Sequence, residues 1–355
     1  MSKPIKNRAC LNSDCPLYGK KDGGNIVRGG FICKKRGRTR RYRCNICGST
    51  VAATKGTPYY RLQHSRNAFD QVAAMCVEGV SKSAIARIMK ISWNTAARWQ
   101  ERAAAAAKVF NKQMTNGYEL TELQLDEIRT FSGSKDDPTW VFTAIVVWSR
   151  LWAGTSVGRR TYKNTRLLLT DTLKSGVITA PPFITTDGFE YYARVIRELL
   201  PGACIHGQVI KQWRRNRVGS ISRSLIAGTP PQLDVAVSRS EDSETINTSF
   251  IERLNLTIRR GSSYLQRRTP CHSRRPEHLA AQLELLRCHY NFVRPHRALK
   301  FGGVTRTPAM QAGIVSRQLT FRMVFMAVAG FTCFIAVFVD VRCQFDLESE
   351  LAKAA

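Results

Sequence analysis

The spacing of apolar residues changes character along the chain, and each change predicts a different structure. Residues 1–62 show almost no helical periodicity and are rich in Cys, Gly and Arg, which predicts a small module too poor in apolar side chains to fold by burial alone. From 63 to 115 apolar residues recur at helical spacing, and the stretch from Asn67 to Ala106 breaks into three helical pieces. Gly79 ends the first, Ser81 or Ser83 caps the second and Ser92 caps the third, since a serine hydroxyl can accept a hydrogen bond from an orphan first-turn amide. Ile85, Ile88 and Met89 are expected to face inward, and the run Ala103–Ala107 reads as a helix-favouring linker.

Residues 116–314 alternate between apolar runs such as Trp140–Trp148 and amphipathic stretches such as Phe189–Leu200, the pattern of a mixed α/β domain. Leu123–Ile128 and Phe183–Thr186 read as strands, the second opening into a loop at Gly188. Ile246 to Arg260 reads as a helix with Phe250, Leu254 and Ile258 on one face and Glu252, Asn255 and Arg259 on another. Leu279, Leu283, Leu286 and Tyr290 mark a closing core helix. Residues 315–355 stand apart as an apolar extension. Met323–Val339 carries no charge, but its seventeen residues fall short of the roughly 20 usual for a membrane span, so a packed extension or a run-on past the usual stop is expected rather than an anchor, and deleting 315–355 is expected to leave the activity of the rest intact.

Charge narrows the class of partner. Lys and Arg number 55 against 26 Asp and Glu, a net charge of +29, and 43% hydrophobic residues exclude a disordered polyelectrolyte. A polyanion is the expected partner, and nucleic acid comes first because neutralising phosphates releases counterions. Eleven cysteines with no export signal read as reduced thiols or metal ligands.

Cys10 and Cys15 form a C-x4-C pair and Cys44 and Cys47 a C-x2-C pair, a ribbon-like spacing suited to structural Zn²⁺; Cys33 could replace one of the four. Lys34, Lys35, Arg36, Arg38, Arg40, Arg41 and Arg43 lead into the second pair and offer a phosphate-gripping edge. In the helical region Trp93, Asn94, Thr95 and Arg98 fall near the exposed start of the third helix, the part of a recognition helix that enters the major groove. Asp126 and Asp187 on strands with Glu252 on a helix suit two-metal phosphoryl transfer, in which hard carboxylate oxygens hold Mg²⁺ or Mn²⁺. Glu241 and Glu244 compete for the third position. His272, His289 and His296 are expected to pack or to contact phosphate, because that chemistry does not require them.

Leu125–Asp126–Glu127, Thr186–Asp187–Gly188, the segment from Ile246 to Gly261, HYNFVRPHRAL (His289 to Leu299) and TPAMQAGI (Thr307 to Ile314) resemble the motifs of bacterial insertion-sequence transposases of the DDE class. The resemblance covers roughly 1–314. It implies a multidomain α+β protein: zinc ribbon (1–62), helix-turn-helix (63–115) and a ribonuclease-H-like α/β catalytic domain (116–314). It also implies metal ligation by Asp126, Asp187 and Glu252, DNA contact or site support from Asn255 and Arg259, and double-stranded DNA as partner. Cleavage at an element's ends and strand transfer, by a homo-oligomer in the prokaryotic cytoplasm at the nucleoid, complete the expectation. The spacing from Asp187 to Glu252 is longer than in many such enzymes, so an insertion is expected near Lys211–Ser243. A DNA-binding regulator or an inactive transposase relic is the alternative.

Overall fold

The computed structural model describes residues 3–5, 8–34, 37–214 and 217–328. Strands β1 (Ile26–Lys34) and β2 (Gly37–Cys44) form an antiparallel hairpin, and β3 (Thr50–Ala52) pairs with β2 on its other edge. The buried centre of this module is Cys10, Cys15, Ile26 and Cys44, with Leu17, Tyr42 and Cys47 packed against it. Thiols thus take the place that branched aliphatics fill in an ordinary core.

Three helices follow: α1 (Arg66–Val77), α2 (Lys82–Met89) and α3 (Trp93–Met114). Ser65, Ser81 and Ser92 cap them, each hydroxyl accepting from the amide three residues on. Ile85 is buried and Met89 packs against the core, but Ile88 is 61% exposed. Its expected inward position is corrected by helix geometry: a four-residue step brings Met89 within about 40° of Ile85, whereas a three-residue step turns Ile88 about 60° to the other side. The alanine run is not a linker either. Helix α3 continues unbroken through it, and Ala103, Ala104, Ala106 and Ala107 are buried, their small side chains permitting a close contact with the helix at 276–288.

The larger sheet contains β4 (Glu122–Ser132), β5 (Ser134–Val146), β6 (Leu151–Gly158), β7 (Phe183–Thr186), β8 (Ile205–Arg214) and β9 (Arg217–Ala227). Their spatial order is β9-β8-β7-β4-β5-β6. β4 pairs parallel with β7 and β7 with β8, while β5, β6 and β9 run antiparallel to their neighbours. Helices α4 (Tyr162–Ser175), α5 (Glu190–Leu199), α6 (Pro230–Ser238), α7 (Ser249–Gly261) and α8 (Pro276–Cys288) complete the architecture. Gly154 on β6 lets α4 approach closely, since a Cβ there would come 2.2 Å from Thr172 Oγ1 and 3.1 Å from Leu168. Leu125, Ala144 and Gly154 share that face by strand period and register, and Asp126 and Thr143 lie on the opposite one under α7. The stretch expected to carry an insertion, Lys211–Ser243, holds the end of β8, all of β9 and α6, that is, part of the hairpin at one edge of the sheet and a helix.

One hydrophobic core runs from Tyr59 through the three helices and the sheet to Ala327. This corrects the boundary expected at 314. Val315 and Leu319 are buried, and a short helix, α9 (Phe321–Ala327), sets Phe325 against the rings of Tyr59 (6.0 Å) and Phe69 (5.6 Å). Arg322 secures it by donating from Nε to Asp70 Oδ2 (2.8 Å) and from a terminal nitrogen to Asn67 Oδ1 (2.9 Å). The rest of the apolar run, beyond 328, lies outside the described residues. Among the described residues no helix is long and apolar enough to cross a membrane.

Candidate metal centre and active site

The sulfurs of Cys10, Cys15, Cys44 and Cys47 all lie within 4.8 Å of one another. Tetrahedral Zn²⁺ with Zn–S bonds of about 2.3 Å sets its ligands about 3.8 Å apart. The separations Cys10–Cys47 (3.6 Å) and Cys15–Cys44 (3.9 Å) fit that edge. Asn25 Nδ2 points at Cys44 Sγ (3.1 Å), and hydrogen bonds with the Ser49 hydroxyl and amide pull Cys47 down to about 6, stabilising the thiolate a metal needs. The four cysteines form a possible zinc-binding site. Cys33, on β1 opposite Arg38, is exposed and outside it.

The arginines of the hairpin do not form a single edge. Strand alternation sends Arg38 and Arg40 to the face of Phe31, whose ring they cover at 5.3 and 4.6 Å, and Arg41 and Arg43 to the other. Lys34 ends β1, and Lys35 and Arg36 lie outside the described residues. At the start of α3, Trp93, Asn94 and Arg98 are exposed as expected, while Thr95 is half-buried and engaged with the Ser92 cap.

The second site sits where β4 and β7 run side by side. Asp126 lies midway along β4, and Asp187 follows the last residue of β7. Carboxylate oxygens of Asp126, Glu127 and Asp187 lie within 4.8 Å of one another and could hold a hard divalent cation such as Mg²⁺. Glu127 lies in the Leu125–Asp126–Glu127 motif, where the sequence assigns it no role. Strand period sends its side chain to the face opposite Asp126, and only the tertiary contacts reveal where it ends: Tyr192 of α5 donates to it (3.0 Å) and Arg160 pairs with it.

Each carboxylate has a built surrounding. Asn255 on α7 donates from Nδ2 to Asp126 Oδ2 (2.8 Å) and accepts from the Thr143 hydroxyl (2.9 Å), so its amide cannot flip without breaking one bond. The amides of Glu127 and Phe189 donate to Asp126 (2.7 Å) and Asp187 (3.0 Å). Burial, then the charge of Asp187, pushes Asp126 up to about 6; burial and the same charge push Glu127 up to about 7 against the pull of Arg160. Burial also raises Asp187. Three crowded acids, each resisting ionisation, suit a cation's charge. Arg160 balances them in part, 3.8 Å from Asp187 and stacked over Phe189 at 3.9 Å.

Glu252 does not join this cluster. Its side chain is 46% exposed, pairs with Lys211 of β8 and accepts from the Thr248 hydroxyl (2.8 Å). Its charge nevertheless contributes to the raised value of Asp126. Glu241 and Glu244 have no such tie: Glu241 acts on Glu122 at the far end of β4, and Glu244 borders a separate hollow beside α6. Asn255 supports Asp126 directly, and Arg259, one turn on, donates to the Arg129 carbonyl (3.4 Å).

Two of the three histidines are packed against neighbouring groups and the third is exposed. His289 stacks on Phe321 (5.6 Å), His296 meets the Tyr290 carbonyl (3.2 Å), and burial drives both down to about 4; exposed His272 lies against the Phe131 ring. Asn291, in a π-helical turn after α8, brackets Trp152 by accepting from its amide and donating to its carbonyl, both at 3.0 Å. The fold and these sites define a mixed α+β protein with an N-terminal sheet carrying a four-cysteine cluster and an acidic centre on a larger α/β sheet. No family of known proteins matches the chain, and neither does any curated protein.

Proposed function

We propose that the protein is a DNA transposase of the DDE class, with a ribonuclease-H-like catalytic domain and a zinc-ribbon and helix-turn-helix front end. One observation carries this reading: Asp126 and Asp187, far apart in sequence, meet at adjacent parallel strands under a helix whose Asn255 holds Asp126 in place. The donor set fits a divalent cation, Mg²⁺ or Mn²⁺, held by Asp126 and Asp187, with Glu252 as third ligand in the resemblance and Glu127 as the carboxylate nearest to both. A cation there supplies Lewis-acid polarisation of a phosphate oxygen and a nucleophile at neutral pH.

The chain's own residues prepare that chemistry. Asn255 and the Glu127 amide fix the two oxygens of Asp126, and Arg160 restrains Glu127 and Asp187 while leaving the cluster anionic. Trp93, Asn94 and Arg98 are exposed, and Asn and Arg have donor patterns for adenine and guanine edges. The net charge of +29 and the four-cysteine hairpin favour DNA as partner. One observation favours an inactive relic or regulator instead: Glu252 is tied to Lys211 outside the acidic cluster.

A donor plasmid in which the gene's natural flanks bracket a marker separates the two readings. The marker is expected to move with the intact protein and Mg²⁺, and to stop with Asp126→Asn or Glu252→Gln but not Glu244→Gln. A protein that binds the flanks and never moves the marker is a relic or a regulator.

A further inference from the structure

A cleft of about 650 Å³ opens where the end of α1, the end of α7 and the turn after α8 meet. Arg259, Arg260, Arg267 and Arg294 line it, and none of the four forms an ion pair among the described residues. Arg260, Arg267 and Arg294 are exposed, while Arg259 is half-buried; burial and then the charge of Arg267 lower its value against the opposing pull of Asp126. Like charges gathered in a concave site raise the folding energy, and Glu78 is the single acid on these walls. An anionic ligand would relieve the repulsion.

The cleft's position says which anion. On α7, Arg259 follows Asn255 by four residues, about 6 Å along the axis, so one end of the cleft opens beside the acids. At the other end, Lys82 at the start of α2 lies over the rings of both Trp93 (5.4 Å) and Tyr264 (5.6 Å), joining the exposed start of α3 to the segment after α7. Gln266 in that segment donates to the Gly79 carbonyl (3.2 Å). Gly79, at φ +76°, packs so tightly that an added Cβ would stand 2.4 Å from the Arg260 carbonyl, so the helical unit is fixed against α7. Cations and rings thus continue from Trp93 to Asp126 across a rigid junction. A free phosphate would occupy one point of this track; a polynucleotide strand spans it.

We propose that the cleft grips the sugar-phosphate backbone of the DNA between the base-reading face of α3 and the carboxylates, with Arg260, Arg267 and Arg294 as phosphate ligands. The assignment rests on the transposase reading and adds to it a strand path and three residues. It also gives the HYNFVRPHR motif a function beyond packing, through Arg294.

Binding of a labelled duplex of arbitrary sequence to the full chain, followed by fluorescence anisotropy over a salt series, tests it. Each phosphate contact contributes about 0.9 to the slope of log K against log salt, so Arg260→Gln, Arg267→Gln and Arg294→Gln combined should flatten the slope by about 2 to 3, alike for natural flanks and arbitrary sequence. Arg239→Gln, in a different hollow that Glu122 also lines, controls for the loss of one charge and should change the slope by far less than any of the three single variants. A triple variant with the wild-type slope overturns the cleft while leaving DNA binding intact; a wild-type chain that binds no duplex overturns the transposase reading as well. Should the triple variant melt below the wild type, the single variants decide, each expected to lose about 0.9.

Discussion

The cysteine-centred module and the central sheet domain are held together by opposite means. The module has a buried centre composed mainly of thiols, separate from the main core. The sheet domain buries layers of Leu, Ile, Val and aromatic side chains and tolerates three mutually repelling acids on top of them. In the first, a metal would be the core; in the second, the core comes first and a metal would be a guest. Removing metal should therefore unfold one and merely discharge the other.

Zinc removal carries the largest expected effect. Structural zinc contributes about 10–16 kcal/mol of apparent binding energy to small modules at neutral pH, which this hairpin has no apolar area to replace. A chelator, or Cys44→Ser, should strip hydrogen-exchange protection from the strands at 26–52 while α1–α3 and the large sheet keep theirs. Loss of protection everywhere at once would mean that the two regions are one cooperative unit, and the comparison would fail.

How far these regions were legible in the sequence follows from the same contrast. Cys10, Cys15, Cys44 and Cys47 were readable because ligand pairs on tight turns are a local pattern, and the Ser81 and Ser92 caps were readable for the same reason. Asp126 and Asp187 stood out as acids in apolar strands. Glu127 did not, since its position beside Asp187 depends on Arg160 and Tyr192, distant in sequence. The alanine run looked like a spacer because its partner, α8, begins at Pro276. Arg322 and Phe325 were set aside with an apolar tail because the residues that receive them, Asp70, Phe69 and Tyr59, lie at the other end of the chain. Local patterns survive translation into structure; the closing of one segment on another has no local signature.

The core's reach into that tail is the second test. Phe325→Ala should cost about 3–5 kcal/mol, the range for emptying a buried phenylalanine site, read as a lowered urea midpoint at constant slope. Truncation after Ile314 should cost more, since it also removes Val315, Leu319, Phe321 and Val324. Either loss would place residues 315–327 in the folded core and make the deletion of 315–355 costly to stability, whatever it does to activity. An unchanged midpoint in Phe325→Ala would return α9 to the status of an appendage.

Acid should act on the sheet domain in a defined window. His206, on β8 beside Thr186, is buried, and burial lowers it from 6.5 to about 4. A folded value below the unfolded one means its contribution is fully present above pH 6.5 and is lost as pH falls towards 4, on the order of 3 kcal/mol in all. The raised Asp126 and Glu127 act in the opposite sense over the same range, so the difference between proteins is the test: relative to the wild type, His206→Gln should lose less stability, or gain more, as pH falls between those limits. If variant and wild type follow the same pH dependence, His206 contributes nothing to it.

The smallest effect probes whether the acidic centre is a guest site on a finished fold. Asn255 donates to Asp126 and receives from Thr143, and it belongs to the buried face of α7. Asn255→Ala removes the amide that orients Asp126 and leaves the Thr143 hydroxyl its other acceptor, the Asp126 carbonyl at 3.1 Å. Loss of such a supporting partner typically weakens a metal site about 10–100-fold, whereas the surrounding apolar contacts of Ile251, Leu254 and Ile258 remain. Titration calorimetry with Mn²⁺ should show that weakening with little change in the melting temperature. Asn255→Asp sharpens the test: it keeps the shape but places a fourth negative charge beside Asp126, so it should lower thermal stability without the cation and recover part of it when Mn²⁺ is added. Recovery of that kind ties the residue to a cation held by Asp126. Equal destabilisation with and without Mn²⁺ would make Asn255 an ordinary core amide and leave the acids without the support that the catalytic reading requires.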